Sequence, residues 1–186
     1  MLFRSSVLAL WATSPDTGMD LWMVRLRGVD PYTAAPPRAE VLLQTRFLES
    51  FPRFSPDGKW FAYMSDESGR REIYVRPFPG PGGKVQISTG GGTRPAWHPN
   101  GREIFYQLRN QWYAVDVSPS PEFKAGRPRL LFEGPYISIP GFGWALAPDG
   151  ERFLVLENTE QFKARTDLTV LTHFFDELRR RVPVTH

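Results

Sequence analysis

The chain has 186 residues, of which 41% are hydrophobic, 23% charged and 14% aromatic, with 18 prolines and 16 glycines. That length allows one or two domains, and the composition excludes a disordered or low-complexity chain. A net charge of +3 is too small to argue for nucleic acid, and the absence of cysteine excludes disulfides, thiol catalysis and thiolate-bound metal.

Taken in order, the chain reads as a succession of short strands. Residues 1–12 superficially imitate a signal peptide, but their apolar stretch is short, and a strand over residues 7–13 is the better reading. A second strand is expected over 21–27, after the polar loop 14–19. Residues 29–38 are Pro-rich and read as an exposed connection, followed by an outer strand over 40–45. Strands over 49–54, 59–65, 72–76 and 84–88 come next. The turn Ser55-Pro56-Asp57-Gly58 separates the first two of these, and Pro and Gly punctuate 77–83. Gly90-Gly91-Gly92 introduces strands over 94–97, 103–108, 111–117 and 129–132, with 118–127 read as a polar loop. Strands over 143–146, 152–157 and 167–171 close the series. Thr172 is then the cap of a short helix with an apolar stripe of Phe174, Phe175 and Leu178. Arg179–Arg181 falls at the carbonyl end of that helix, where cations complement the dipole. No apolar run approaches the length of a membrane span, so no membrane insertion is expected of this segment.

The decisive pattern is a repeat. Pro56-Asp57-Gly58 returns as Pro99-Asn100-Gly101 and Pro148-Asp149-Gly150, the glycines lying 43 and 49 residues apart. In each copy Pro sets the first corner, the acid or amide can bond the backbone beyond it, and Gly takes the positive φ. Each is followed by an apolar strand. A fourth copy without its turn lies at the N-terminus, offset by 52 residues, with Trp11 on Tyr63 and Asp20-Leu21-Trp22 on Glu72-Ile73-Tyr74. A period of about 40–50 residues holding several short strands signals a β-propeller blade. The expected fold is all-β, with about four blades at residues 1–46, 49–88, 93–133 and 142–172, then a helix and tail at 173–186. The first blade lacks an inner strand and the last an outer one. Propellers protect their blades by closing rings of about four to eight, so the expectation is an open arc or part of a larger propeller.

The FSPDG turn, the SDESG hairpin and the EIYV strand resemble the WD-like repeat of TolB-type β-propellers. The last run, 168–183, resembles the C-terminal end of propellers linked to bacterial serine/threonine kinase or DNA-binding domains. The resemblance implies a non-enzymatic scaffold for protein or peptide, the sensor or interaction part of a bacterial signalling protein. It also suggests the extracytoplasmic (periplasmic) side, without an identified signal peptide. Partners would include the missing blades or a second copy, and not nucleic acid. The alternative is a propeller module of a prolyl-peptidase-like hydrolase whose catalytic domain is absent.

The search for chemistry is negative. No kinase motif or Gly-x-Ser-x-Gly elbow occurs, and Gly80–Lys84 lacks P-loop spacing and a following Ser or Thr. His98, His173 and His186 are far apart, and Asp66-Glu67-Ser68 lacks a calcium-loop pattern. Asp57 and Asp149 recur with the turn, and Trp60, Trp97, Trp112 and Trp144 read as blade packing. No catalytic residue, cofactor or metal is expected. The candidate is the channel mouth, where Arg53, Arg94 and Trp144 begin the inner strands.

Overall fold

The computed structural model describes residues 7–26, 38–119, 122–136 and 143–156. These residues form four antiparallel sheets. The first contains β1 (Val7–Ser14), β2 (Gly18–Arg25) and β3 (Ala39–Leu43), in that order. The second runs β4 (Glu49–Phe54), β5 (Trp60–Ser65), β6 (Glu72–Pro77) and β7 (Val85–Gln86). In the third, β8 (Thr93–Trp97), β9 (Glu103–Leu108) and β10 (Gln111–Ser118) are consecutive. The outer edge of β10 is shared, by β11 (Lys124–Ala125) at one end and β12 (Arg129–Glu133) at the other. A fourth sheet pairs β13 (Trp144–Leu146) with β14 (Phe153–Val155). The fold is all-β, as expected. The expected strand over 167–171 and the C-terminal helix lie outside the described residues.

The three repeated turns share one geometry. The Gly58, Gly101 and Gly150 amides donate to the carbonyls of Ser55, His98 and Ala147 at 2.8–2.9 Å. Their φ angles are 70°, 72° and 80°, a region that glycine enters without steric cost. Asp57 Oδ1 accepts from the Lys59 amide at 3.1 Å, Asn100 Oδ1 from Arg102 at 2.8 Å and Asp149 Oδ1 from Glu151 at 3.0 Å. The acid or amide in each corner therefore braces the start of the next strand.

Period-two alternation assigns side chains to cores on opposite faces. In β5, Phe61 and Tyr63 join Leu21, Leu43 and Tyr74 between the first and second sheets. Ala62 and Met64 join Ile73, Val75, Ile104, Tyr106 and Val115 between the second and third. Phe105 and Phe132 meet Phe153 of β14 at ring separations of 5.1 and 5.3 Å. Successive sheets thus pack face to face, the arrangement of propeller blades. The segment 118–127 departs from its expected reading as a plain loop. Phe123 is 5% exposed and packs on Trp60 and Trp97, with ring separations of 4.8 and 6.2 Å. It carries β11 back against β10. One aromatic among polar and proline residues has no periodicity to reveal it.

Two carboxylates hold the strand ends. Glu72, fully buried at the start of β6, accepts from the Gly90 and Gly91 amides at 3.1 and 2.9 Å and from the Ser88 hydroxyl. Asp20, its counterpart in the first sheet, is also fully buried and accepts from Thr17 Oγ1 at 2.6 Å and Gln44 Nε2 at 2.9 Å. Glu72 ties β6 to the residues that follow β7, and Asp20 ties β2 to Thr17 before it and to Gln44 after β3.

Candidate functional site: an aromatic and arginine-lined cavity between inner strands

Strands β4 and β8 carry the same irregularity. Pairing of β4 with β5 shifts between Ser50 and Arg53, and pairing of β8 with β9 shifts between Thr93 and Ala96. Within the bulges Phe51 and Arg94 have φ of 54° and 53°. Each stands seven residues before its turn glycine and is followed by proline. Bulges re-aim side chains, and a non-glycine residue at positive φ needs surrounding structure to hold it there. The two residues hold each other: the Arg94 guanidinium carbon lies 5.3 Å from the centre of the Phe51 ring. Trp11 of β1 packs on the same ring at 4.8 Å. Gly143 is the third sheet-entry residue in this register, and a Cβ there would come within 3.2 Å of the Arg94 side chain.

A cavity of about 380 Å³ opens here. Its walls include Arg53 of β4, Arg94 of β8 and Trp144 of β13, so the three candidate residues come together. Arg53 is exposed and its Nη1 donates to its neighbour's Pro52 carbonyl at 3.1 Å. Desolvation lowers both arginines from the ordinary guanidinium range, which leaves them cationic near neutrality. Arg94 also donates to Gln107 Oε1 at 3.5 Å. Trp97 Nε1 donates to the Arg53 carbonyl at 3.0 Å and locks β8 to β4. Trp144 lies against Phe153 at 5.6 Å, and its indole N–H has no hydrogen-bond partner among the described residues.

Sequence reasoning missed Trp11 and Phe51 as cavity residues. The signal for Phe51 was its register with Arg94 and Gly143 ahead of the repeated turn; nothing in the sequence marked Trp11. A second cavity, of about 510 Å³, shares Trp11, Phe51 and Arg94 with the first and adds Arg71 and Arg109 from the hairpin ends. Among the described residues, no group of three or more His, Asp or Glu side chains is arranged to hold a metal ion. No helix among them is long and apolar enough to cross a membrane.

No protein-family profile matches the chain, and no curated protein matches it. Solved structures do. A protein assigned as TolB from Agrobacterium tumefaciens superposes with a TM-score of 0.50 at 15% identity, covering 69% of this chain and 46% of that one. TolB from Acinetobacter baumannii superposes with a TM-score of 0.51 at 18% identity, covering 79% of this chain and 34% of that one. A chain assigned as a 6-phosphogluconolactonase from Bacteroides uniformis is similar at a TM-score of 0.48 and 16% identity, covering 78% of this chain and 46% of that one. The chain spans between a third and a half of the length of the two TolB structures. The four face-packed antiparallel sheets and this likeness together give the fold as that of β-propeller blades, similar to those of the TolB structures.

Proposed function

We propose that the chain is a non-catalytic β-propeller scaffold that binds a protein or peptide in the cavity between β4, β8 and β13. The observation that carries this reading is the convergence of Arg53, Arg94 and Trp144, from three separate sheets, on one cavity. Phe51 and Arg94, held at positive φ along its wall, support a pre-formed site. On the resemblance of residues 168–183, the scaffold serves as the sensor or interaction part of a bacterial signalling protein, on the extracytoplasmic side. Leu8 of the first sheet and Leu154 of the fourth, 53% and 71% exposed, favour further contact with propeller sheets or a second copy.

A peptide array screened with the purified full chain tests the reading. Ala145 is an exposed residue of the cavity wall, and Ala145→Trp fills the space while leaving the core untouched. Array peptides that bind the native chain and lose binding to Ala145→Trp support the proposal. An empty array, or binding indifferent to the substitution, overturns it.

A further inference from the structure

We infer that the cleft between the outer strands of the second and third sheets binds a neutral ligand, an apolar ring carrying a carbonyl group that accepts a hydrogen bond from the Tyr106 hydroxyl. β7 is the outermost strand of the second sheet, and β11 lies at the outer edge of the third. Beside them opens a cavity of about 580 Å³, whose wall includes Val85, Ile87, Thr89, Tyr106, Tyr113 and Pro128. It shares no wall residue with the two cavities at the inner strands, so it is a separate site. Its floor is the core between the two sheets, where Ile87 and Tyr106 are 2% and 1% exposed. Thr89, Gly126 and Arg127 stand exposed at its mouth.

The Tyr106 hydroxyl has no hydrogen-bond partner among the described residues, and it is not one of the polar atoms sealed from solvent there, so it opens into the cavity its ring lines. A buried tyrosine ordinarily spends its hydroxyl on a partner; this one is left for whatever occupies the cleft. Burial, reinforced by Tyr113 and Glu72, pushes the phenol well above its ordinary 10, so it keeps a proton to donate. The neighbouring ring is fixed. Tyr113 stacks on Tyr106 with centroids 5.3 Å and planes 9° apart. Its Oη donates to Gln111 Oε1 at 2.9 Å, while Gln111 Nε2 donates to Glu133 Oε2 at 2.8 Å. Glu133 thereby orients the Gln111 amide, the amide takes the Tyr113 proton, and Tyr106 holds the uncommitted buried donor. Charge decides the ligand class. Arg127 is the one charged residue of the described wall and is exposed, where water screens it. The Glu72 charge that acts on the Tyr106 phenol opposes an anion at the deep end. A carbonyl oxygen on an uncharged ring meets both conditions, with Val85, Ile87 and Pro128 as the apolar bed.

Amide chemical-shift titration of the isotopically labelled full chain tests this with four ring probes: benzamide, toluene, benzoate and benzylammonium. Benzamide is expected to shift the Thr89 and Gly126 amides and to bind more tightly than the other three. Tyr106→Phe removes only the hydroxyl and should weaken benzamide about three- to tenfold, the share of one neutral hydrogen bond. It should leave toluene binding and the thermal midpoint of the free chain unchanged, because the hydroxyl has no protein partner to lose. Thr89→Trp, at an exposed wall position, should block benzamide, and Ala145→Trp should not. Benzamide that leaves those amides unshifted, or that binds Tyr106→Phe as well as the native chain, would overturn the inference. So would tighter binding of any of the other three probes, or a midpoint lowered by several degrees in Tyr106→Phe, which would make the hydroxyl structural. None of these results bears on the inner-strand site, which the peptide array tests separately.

Discussion

Glu72 gives the sharpest test of how the second and third sheets are joined. Its carboxylate is fully buried, with Oε1 receiving the Gly90 and Gly91 amides and Oε2 the Ser88 hydroxyl. Ser88 Oγ in turn accepts from the Ile73 amide at 2.8 Å. Glu72→Ala removes the acceptor of three donors that lie between β7 and β8. The Arg70 partner can be discounted, because that side chain is 64% exposed and water replaces the contact. Ser88 can redirect its proton, so the main loss falls on the two amides. Each donor left unsatisfied costs about 1–3 kcal/mol. Removing a buried charge recovers part of that sum, leaving a net loss of about 3 kcal/mol. Against a domain stability of about 5–15 kcal/mol, that is a large fraction. Urea unfolding followed by tryptophan fluorescence reads it as a midpoint lowered by about 1–2 M at an ordinary m-value. Glu72→Gln keeps one carbonyl acceptor and should lose about half as much. A Glu72→Ala chain within about 0.5 kcal/mol of the native one, below even one lost buried hydrogen bond, would refute the clamp.

Three further substitutions test separate parts of the argument. Burial opposes ionisation of Asp57, but the Ser55 hydroxyl and Lys59 amide outweigh it and hold the carboxyl below its ordinary 3.8. Its contribution is therefore present above pH 3.8 and lost as pH falls through the lower folded value, and Asp57→Ala should cost about 1 kcal/mol or less at neutral pH in a urea titration. Burial, reinforced by Asp20, raises Glu49 above 4.5, so stability should fall as pH rises from 4.5 through the folded value. Glu49→Gln should abolish that slope and stabilise the neutral chain, which thermal melts across pH would register. Arg109, at φ 55° in the tight β9–β10 turn, should accept glycine with a gain of about 1 kcal/mol in unfolding free energy, read by urea titration.

The fold was legible because its repeated signals are local. Pro, Asp or Asn, and Gly determine the corner among themselves, and β4 and β9 begin and end where alternation and turn chemistry place them. Burial of Glu72 was not legible, since the donors it serves lie 16–19 residues away. Phe123 was hidden for a related reason: its neighbours Trp60 and Trp97 lie far off in sequence and come from two different sheets. The site was half visible. Arg53, Arg94 and Trp144 follow from asking where inner strands begin. Arg71 and Arg109 sit on hairpin ends, and no strand pattern states which hairpin end turns toward a neighbouring inner strand.

Strand β5 has no face given over to solvent. Its odd-numbered rings, Phe61 and Tyr63, serve the sheet before it, and its even-numbered Ala62 and Met64 serve the sheet after. A slip of one residue would hand bulky rings to a space shaped for alanine and methionine, and leave a hollow on the other side. Two neighbours thus proofread the same six residues, Trp60–Ser65, at once. Variation in this vane can be absorbed only by matched change in both adjoining ones, whereas the half-exposed β1 and β3 can drift alone.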